Sequence, residues 1–295
     1  MVQESIQELR PRIDEGLAEY LRPHPECPEG LREAMTYSLL AGGKRLRPIL
    51  VLLSAEACGG SHQAALPAAC AIEMVHTYSL IHDDLPAMDD DPLRRGQPTN
   101  HTVYGEAAAI LAGDGLLTMA FEVLARDIQP PETAAKCCAE LAEAAGVRGM
   151  VGGQSADLAA SHTSPPAEDA RETLESIHRM KTARLIEAAV ALGAHVAAAD
   201  DVTLERLRDY GSRVGLAFQI ADDLLDVRGD DRRTGKASGR DAELGKLTYP
   251  GVVGLDQSER RAAELVETAC QAIAPLGSAA SRLVALARFV LNRDH

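Results

Sequence analysis

Tryptophan is missing from this 295-residue chain and aromatic side chains are few. Runs of alternating β-branched residues are missing too, which excludes a fold built on half-buried strands. The six cysteines (Cys27, Cys58, Cys70, Cys137, Cys138 and Cys270) form no C-x-x-C pair and no metal-finger spacing. They read as reduced thiols of a cytoplasmic protein. The opening residues Met1 to Arg10 hold no apolar signal core, so secretion is not expected. No stretch of eighteen uncharged apolar residues occurs. The nearest, Leu185 to Ala199, is interrupted by Glu187 and His195, so no membrane span is expected. Positive charge is scarce: 30 Lys and Arg stand against 44 Asp and Glu, a net charge of −14. Such a chain is a poor general ligand for nucleic acid or anionic lipid. Any anion it binds must meet local basic clusters or metal ions.

The chain is rich in Ala, Leu, Glu and Arg, which favour helices. Helical periodicity runs through 3–21, 29–41, 46–58, 64–83, 105–127, 131–145, 147–160, 168–197, 202–228, 258–274 and 277–292. Breaks fall at proline- and glycine-containing segments, the longest from Gly229 to Pro250, and Asp200 suits an N-cap. No flexible linker, repeat or low-complexity segment divides the sequence. The expectation is one all-α domain, 1–295, of about ten helices.

Two aspartate clusters stand out. The first is Asp83-Asp84-Leu85-Pro86-Ala87-Met88-Asp89-Asp90-Asp91, after an apolar helical run. Asp83 and Asp89 lie about 240° apart on an ideal helix. Pro86 is expected to break the helix and let Asp89 swing back. The second is Asp222-Asp223-Leu224-Leu225-Asp226. Asp222 and Asp226 share a helix face, and Gln219 sits one turn earlier on it. Clustered carboxylates repel unless a cation sits between them, and Mg²⁺ takes such hard oxygen ligands together with substrate phosphates. An EF-hand loop is a poor fit: counted from Asp89, its fifth and sixth positions are Leu93 and Arg94.

Basic residues gather at a few places. Gly42-Gly43-Lys44-Arg45-Leu46-Arg47-Pro48 puts three cations beside two glycines at a helix start, which is an anion site in the making. Arg94-Arg95 follow the first aspartate cluster, which suits a diphosphate gripped by both metal and guanidinium. Lys181-Thr182 lies in a helical run, and Lys236 and Lys246 lie in a loop that is not a P-loop. His76 is two helical turns before Asp83 on the same face.

Taken in order, the Gly42–Pro48 segment, Leu80–Asp89 with Arg94-Arg95-Gly96, Lys181-Thr182, Phe218–Asp226 and Gly245-Lys246-Leu247-Thr248-Tyr249-Pro250 resemble the trans-isoprenyl diphosphate synthases, of the bacterial farnesyl diphosphate synthase type. The resemblance implies an all-α isoprenoid synthase fold, a homodimer, and head-to-tail joining of isopentenyl diphosphate to an allylic diphosphate. It implies three Mg²⁺ ions, for which Mn²⁺ can substitute. Asp83 and Asp89 hold two, with Asp84 beside them, and Asp222 holds the third, supported by Asp223 and Asp226. It assigns Arg94, Lys181, Thr182, Gln219 and Lys236 to the allylic substrate, chiefly its diphosphate, and Lys44, Arg47, His76 and Arg95 to isopentenyl diphosphate. Pro92 stands where a carboxylate is often found, but leaves Asp83, Asp84 and Asp89 untouched.

A terpene cyclase of the same fold replaces the second aspartate cluster with an Asn/Asp, Ser/Thr, Glu pattern, which this chain lacks. An inactive partner subunit should have lost carboxylates or cations, and none is lost. The open choice is product length. Tyr78 lies about 7.5 Å down the helix axis from Asp83, about 140° round it, with Ser79 nearer that face. An aromatic at this position is typical of the family's fifteen-carbon synthases, so farnesyl diphosphate is expected, with geranylgeranyl diphosphate as the alternative.

Overall fold

The computed structural model describes residues 2–162, 166, 168–228 and 247–291. Its helices are α1 Val2–Tyr20, α2 Glu29–Leu39, α3 Leu46–Ala57, α4 His62–Asp83, α5 Asn100–Tyr104, α6 Glu106–Asp127, α7 Pro131–Ala145, α8 Met150–His162, α9 Ala170–His178, α10 Arg184–Val196, α11 Asp201–Arg228, α12 Tyr249–Val253, α13 Leu255–Ala272 and α14 Ser281–Leu291. A π-helical turn, Arg179–Ala183, joins α9 to α10. The described strands are two residues each, β1 Leu93–Arg94 and β2 Gln97–Pro98, paired antiparallel. The fold is the all-α one expected.

Local chemistry explains the boundaries. Ser61 caps α4 by accepting from the Ala64 amide at 3.2 Å, and Asp200 caps α11 by accepting from the Thr203 amide at 2.7 Å. The expected 277–292 helix starts at Ser281 instead, because Gly277 has φ +62° and turns the chain. Helix α12 begins at the end of the segment, Gly229 to Pro250, expected to be a break. Its Pro250 sits in the first turn, where a missing N–H costs nothing, and Thr248 accepts from the Gly251 amide at 3.3 Å.

Helices α3, α4, α10 and α11 hold the core, with α6 packed on α4 and α13 on α11. Residues Leu185 to Ile186 and Ala188 to Ala194 of α10 are all buried. Gly193 lets α10 and α3 approach closely: a Cβ there would stand 2.2 Å from the Val51 carbonyl oxygen of α3. By length and composition, α4, α6 and Ala274–Leu291 could each cross a bilayer. In α4 two-thirds of that apolar stretch is buried within the protein.

Candidate active site

Helix α4 ends at Asp83, and Pro86 follows in the loop. The chain doubles back as expected: the Asp89 amide donates to the Asp83 carbonyl at 2.9 Å, and the Asp91 amide to that of Asp84 at 3.2 Å. Asp83 and Asp84 then diverge. The Asp83 carboxyl is pushed up to about 6, mainly by burial; Lys181 and Arg94 pull it down, while Asp89 and Asp84 push it up. Asp84, 3 % exposed, is gripped by Arg94, whose Nε lies 2.7 and 2.8 Å from its two oxygens. Arg94 also reaches Asp91 at 3.7 Å. Arg94 and Asp84, expected on substrate and beside metal, thus grip each other.

Lys181 and Thr182 sit on the π-turn. A Cβ on Gly153 of α8 would lie 2.2 Å from the Lys181 amide nitrogen, and one on Gly215 of α11 would lie 2.5 Å from Ala183 Cα. The turn is therefore clamped between two helices that only glycine lets this close. Lys181 Nζ donates to Asp157 Oδ2 at 2.6 Å, and Asp157, Asp83 and Asp89 all favour its charged form against the burial that opposes it. Lys181 therefore links α8 to the first aspartate cluster.

Thr182 Oγ1 lies 2.9 Å from Gln219 Oε1, and Gln219 Nε2 lies 3.1 Å from Asp223 Oδ1. Gln219, expected on the Asp222–Asp226 face, is joined to Asp223 instead, because residues i and i+4 meet on a helix. Asp223, 4 % exposed, also accepts from the Tyr249 amide at 2.8 Å. The Tyr249 hydroxyl donates to Glu175 at 2.8 Å. His178 is buried, with Nε2 at 3.6 Å from Asp223, and burial drives its pKa down to about 4. Asp222 and Asp226 are half-buried, and Lys236 lies outside the described residues.

The basic turn splits by role. Arg45 adopts φ +49° and points inward, 2.8 Å from each of Glu73, Asp14 and the Leu39 carbonyl. Lys44 stays exposed, its Nζ 5.9 Å over the Phe289 ring of α14. Gly42 and Gly43, with φ of +83° and +123°, let Arg95 lie across the turn and donate to the Gly42 carbonyl. His76 is held neutral by burial and then by Arg47, Arg95, Arg94 and Arg45 around it. The structure thus gathers His76, Arg47 and Arg95, expected to share one diphosphate.

Tyr78 is 5 % exposed and packs edge-on against His82, ring centroids 5.7 Å apart. His82 Nε2 lies 3.0 Å from the Ile110 carbonyl of α6. Gly113 makes room: a Cβ there would stand 2.1 Å from that nitrogen. Ser79, by contrast, bonds its own helix at the His76 carbonyl, 2.8 Å away.

Among the described residues, no three His, Cys, Asp or Glu side chains converge closely enough to hold a metal ion alone. The donor set still suits Mg²⁺. Asp83 resists ionising chiefly because it is buried, with Asp89 and Asp84 adding to that, and Mg²⁺ commonly takes one or two carboxylates and completes its shell with phosphate oxygen and water.

Two carboxylate clusters, a clamped lysine and a group of arginines are thus carried on one all-α framework. The chain belongs to the polyprenyl synthetase family, whose profile matches residues 28–279. It is a trans-type prenyltransferase. It is 46 % identical over 270 residues to a geranylgeranyl diphosphate synthase of Cyanophora paradoxa, covering 91 % of this chain and 89 % of that one. It is 45 % identical over 273 residues to a farnesyl diphosphate synthase of Bacillus subtilis, covering 92 % and 91 %. Among solved structures, an FPP/GFPP synthase from Zymomonas mobilis aligns with TM-score 0.87 at 37 % identity, covering 98 % of both chains. A geranyltransferase from Legionella pneumophila aligns with TM-score 0.86 at 35 % identity, covering 99 % and 98 %.

Proposed function

We propose that this prenyltransferase makes farnesyl diphosphate, condensing isopentenyl diphosphate with dimethylallyl and then geranyl diphosphate. The relatives carry both farnesyl and geranylgeranyl names, so the reading rests on Tyr78. Its buried ring stands five residues before Asp83 on α4, braced by His82. A chain growing from a diphosphate held near Asp83 meets that ring.

Asp83, Asp89 and Asp222 are the residues that would hold three Mg²⁺ ions, with Asp84, Asp223 and Asp226 in support. Bound Mg²⁺ supplies positive charge that neutralises the departing diphosphate. Lys181, oriented by Asp157, adds a fixed cation on the allylic side. Arg47, Arg95, His76 and Lys44 hold isopentenyl diphosphate, and neutral His76 gives that pocket a hydrogen-bonding group without further charge. Lys236 and Arg94 complete the allylic set, Arg94 by sharing itself with Asp84. An apolar surround that excludes water would protect the allylic cation until the isopentenyl double bond attacks.

The same reading makes the protein a cytoplasmic homodimer with no membrane span. Ile110 and Leu111 of α6 and Val103 of α5 are 43 %, 58 % and 47 % exposed, which offers a second copy an apolar face. Labelled isopentenyl diphosphate, offered with dimethylallyl, geranyl or farnesyl diphosphate, tests the assignment. Fifteen-carbon product from the first two primers, lost on adding EDTA, is expected. A mainly twenty-carbon product makes the enzyme a geranylgeranyl diphosphate synthase, and undiminished turnover in EDTA removes the metal from the mechanism.

A further inference from the structure

We infer that Tyr37 and Asn100 are positioning residues that aim Arg95 at isopentenyl diphosphate, by docking the hairpin that carries it onto the last turns of α2. The inference rests on the reading that Arg95 helps to hold that diphosphate.

The hairpin cannot hold its own shape. Its strands β1 and β2 are two residues each, and so small a ribbon is not stable alone in water. Between them, Arg95 and Gly96 have φ of +54° and +76°, the signs of a type I′ turn. Gly96 adopts this conformation freely, whereas Arg95 adopts it at a steric cost from its Cβ. Contacts outside the hairpin must therefore fix Arg95 where it lies. Packing against α2 is incomplete, because a cavity of about 40 Å³ remains there, lined by Tyr37, Ser38, Arg94, Arg95 and Asn100 among others. Polar contacts thus set the distance between helix and hairpin.

Those contacts use one side of α2, where Ala34, Tyr37 and Ser38 are neighbours at i, i+3 and i+4. The Tyr37 hydroxyl donates to the Pro98 carbonyl of β2 at 2.7 Å. Asn100, 2 % exposed, donates from its amide nitrogen to the Ala34 carbonyl and the Ser38 hydroxyl, each at 2.8 Å. The Thr99 amide closes the base of the hairpin on the Pro92 carbonyl at 3.0 Å. Helix α2 ends at Leu39, and the chain runs on through Gly42 and Gly43 to Lys44 and Arg47. One end of α2 therefore sets both halves of the basic pocket: the Lys44–Arg47 turn by chain continuity, and Arg95 through the docked hairpin. Arg94 differs, since Asp84 anchors it on α4 directly.

Calorimetry on protein loaded with Mg²⁺ and geranyl thiolodiphosphate, an unreactive allylic analogue, reads isopentenyl diphosphate binding without turnover. Tyr37→Phe keeps the ring that meets Tyr104 edge-on and removes only the hydroxyl. It should weaken isopentenyl diphosphate by about fivefold, the scale of one hydrogen bond, and the analogue by less than about twofold. Ser38→Ala, which removes an acceptor of Asn100, should do the same. Arg95→Ala should weaken isopentenyl diphosphate further, and on that background Tyr37→Phe should add less than about twofold. The same fold-change on both backgrounds overturns the inference, because the clamp would then not act through Arg95. Unchanged isopentenyl diphosphate binding in Tyr37→Phe or Ser38→Ala overturns it too, as does equal weakening of both ligands, which marks a merely structural role. If one of these two variants does not fold by thermal melting, the other decides. Arg95→Ala that binds isopentenyl diphosphate like wild type overturns the reading of Arg95 itself, and the inference with it.

Discussion

Lys181 Nζ is held 2.6 Å from Asp157 Oδ2, a carboxylate from a helix that carries none of the recognised motifs. The lysine enters the site already aimed. Asp157→Asn removes the charge and loosens the aim. It should weaken allylic diphosphate by about tenfold to a hundredfold in KM, since charge-assisted bonds are worth about 1.5–3 kcal/mol. The KM for isopentenyl diphosphate should stay within a factor of about two. Steady-state kinetics with each substrate varied in turn checks the split.

Arg45 and Lys44 are neighbours with opposite consequences. The Arg45 side chain is 1 % exposed and pairs with Glu73, itself 3 % exposed. Arg45→Ala leaves that carboxylate buried and alone, a loss of about 3–5 kcal/mol. Lys44→Ala should barely move the urea midpoint, and instead raise the KM for isopentenyl diphosphate. Equilibrium unfolding of both variants separates the roles.

Buried His178 gives the fold an acid-sensitive element. Its pKa falls from 6.5 to about 4, chiefly through burial, with Asp157 and Glu175 opposing and Lys181 assisting. The unfolded chain takes up a proton that the folded one refuses. Its contribution is whole above pH 6.5 and is lost as pH falls toward about 4. His178→Gln should flatten the pH dependence of the unfolding free energy by about 1.4 kcal/mol per pH unit in that window. Urea titrations at several pH values measure the slope.

The Tyr78–His82–Gly113 stack predicts two routes to the same change. Tyr78→Ala opens the floor and should shift products to twenty carbons and beyond. Gly113→Ala drives a methyl into His82 and should displace the imidazole that braces the ring, costing about 1–3 kcal/mol of stability and broadening the product range. Chromatography of the released alcohols, together with melting curves, checks both.

The site was only partly legible in the sequence. Asp83, Asp89 and Asp222 could be singled out because each lies in a local cluster of carboxylates, whereas Lys181 is marked only by the family resemblance. Asp157, Glu175 and Gly113 could not, since each acts through a partner on another helix and no local pattern marks it. Arg45 could not be told from Lys44 and Arg47 until its φ of +49° showed it turned inward. Most helices were readable from their periodicity. The π-turn was not, because it depends on Gly153 and Gly215 pressing from two sides, and α12 was hidden by the proline and glycine that read as breakers.

Asp83 and Tyr78 stand on one uninterrupted helix, so under the proposed reading the gauge of chain length is a rigid rod. The spacing between Asp83 and Tyr78 is held by backbone hydrogen bonds, while the seat of the ring rests on His82 and on Gly113 of α6. Warming loosens contacts between helices long before it stretches a helix along its axis. The length of the gauge should therefore travel with this stretch of α4 when it is grafted into a related synthase, provided the α6 glycine that seats His82 goes with it.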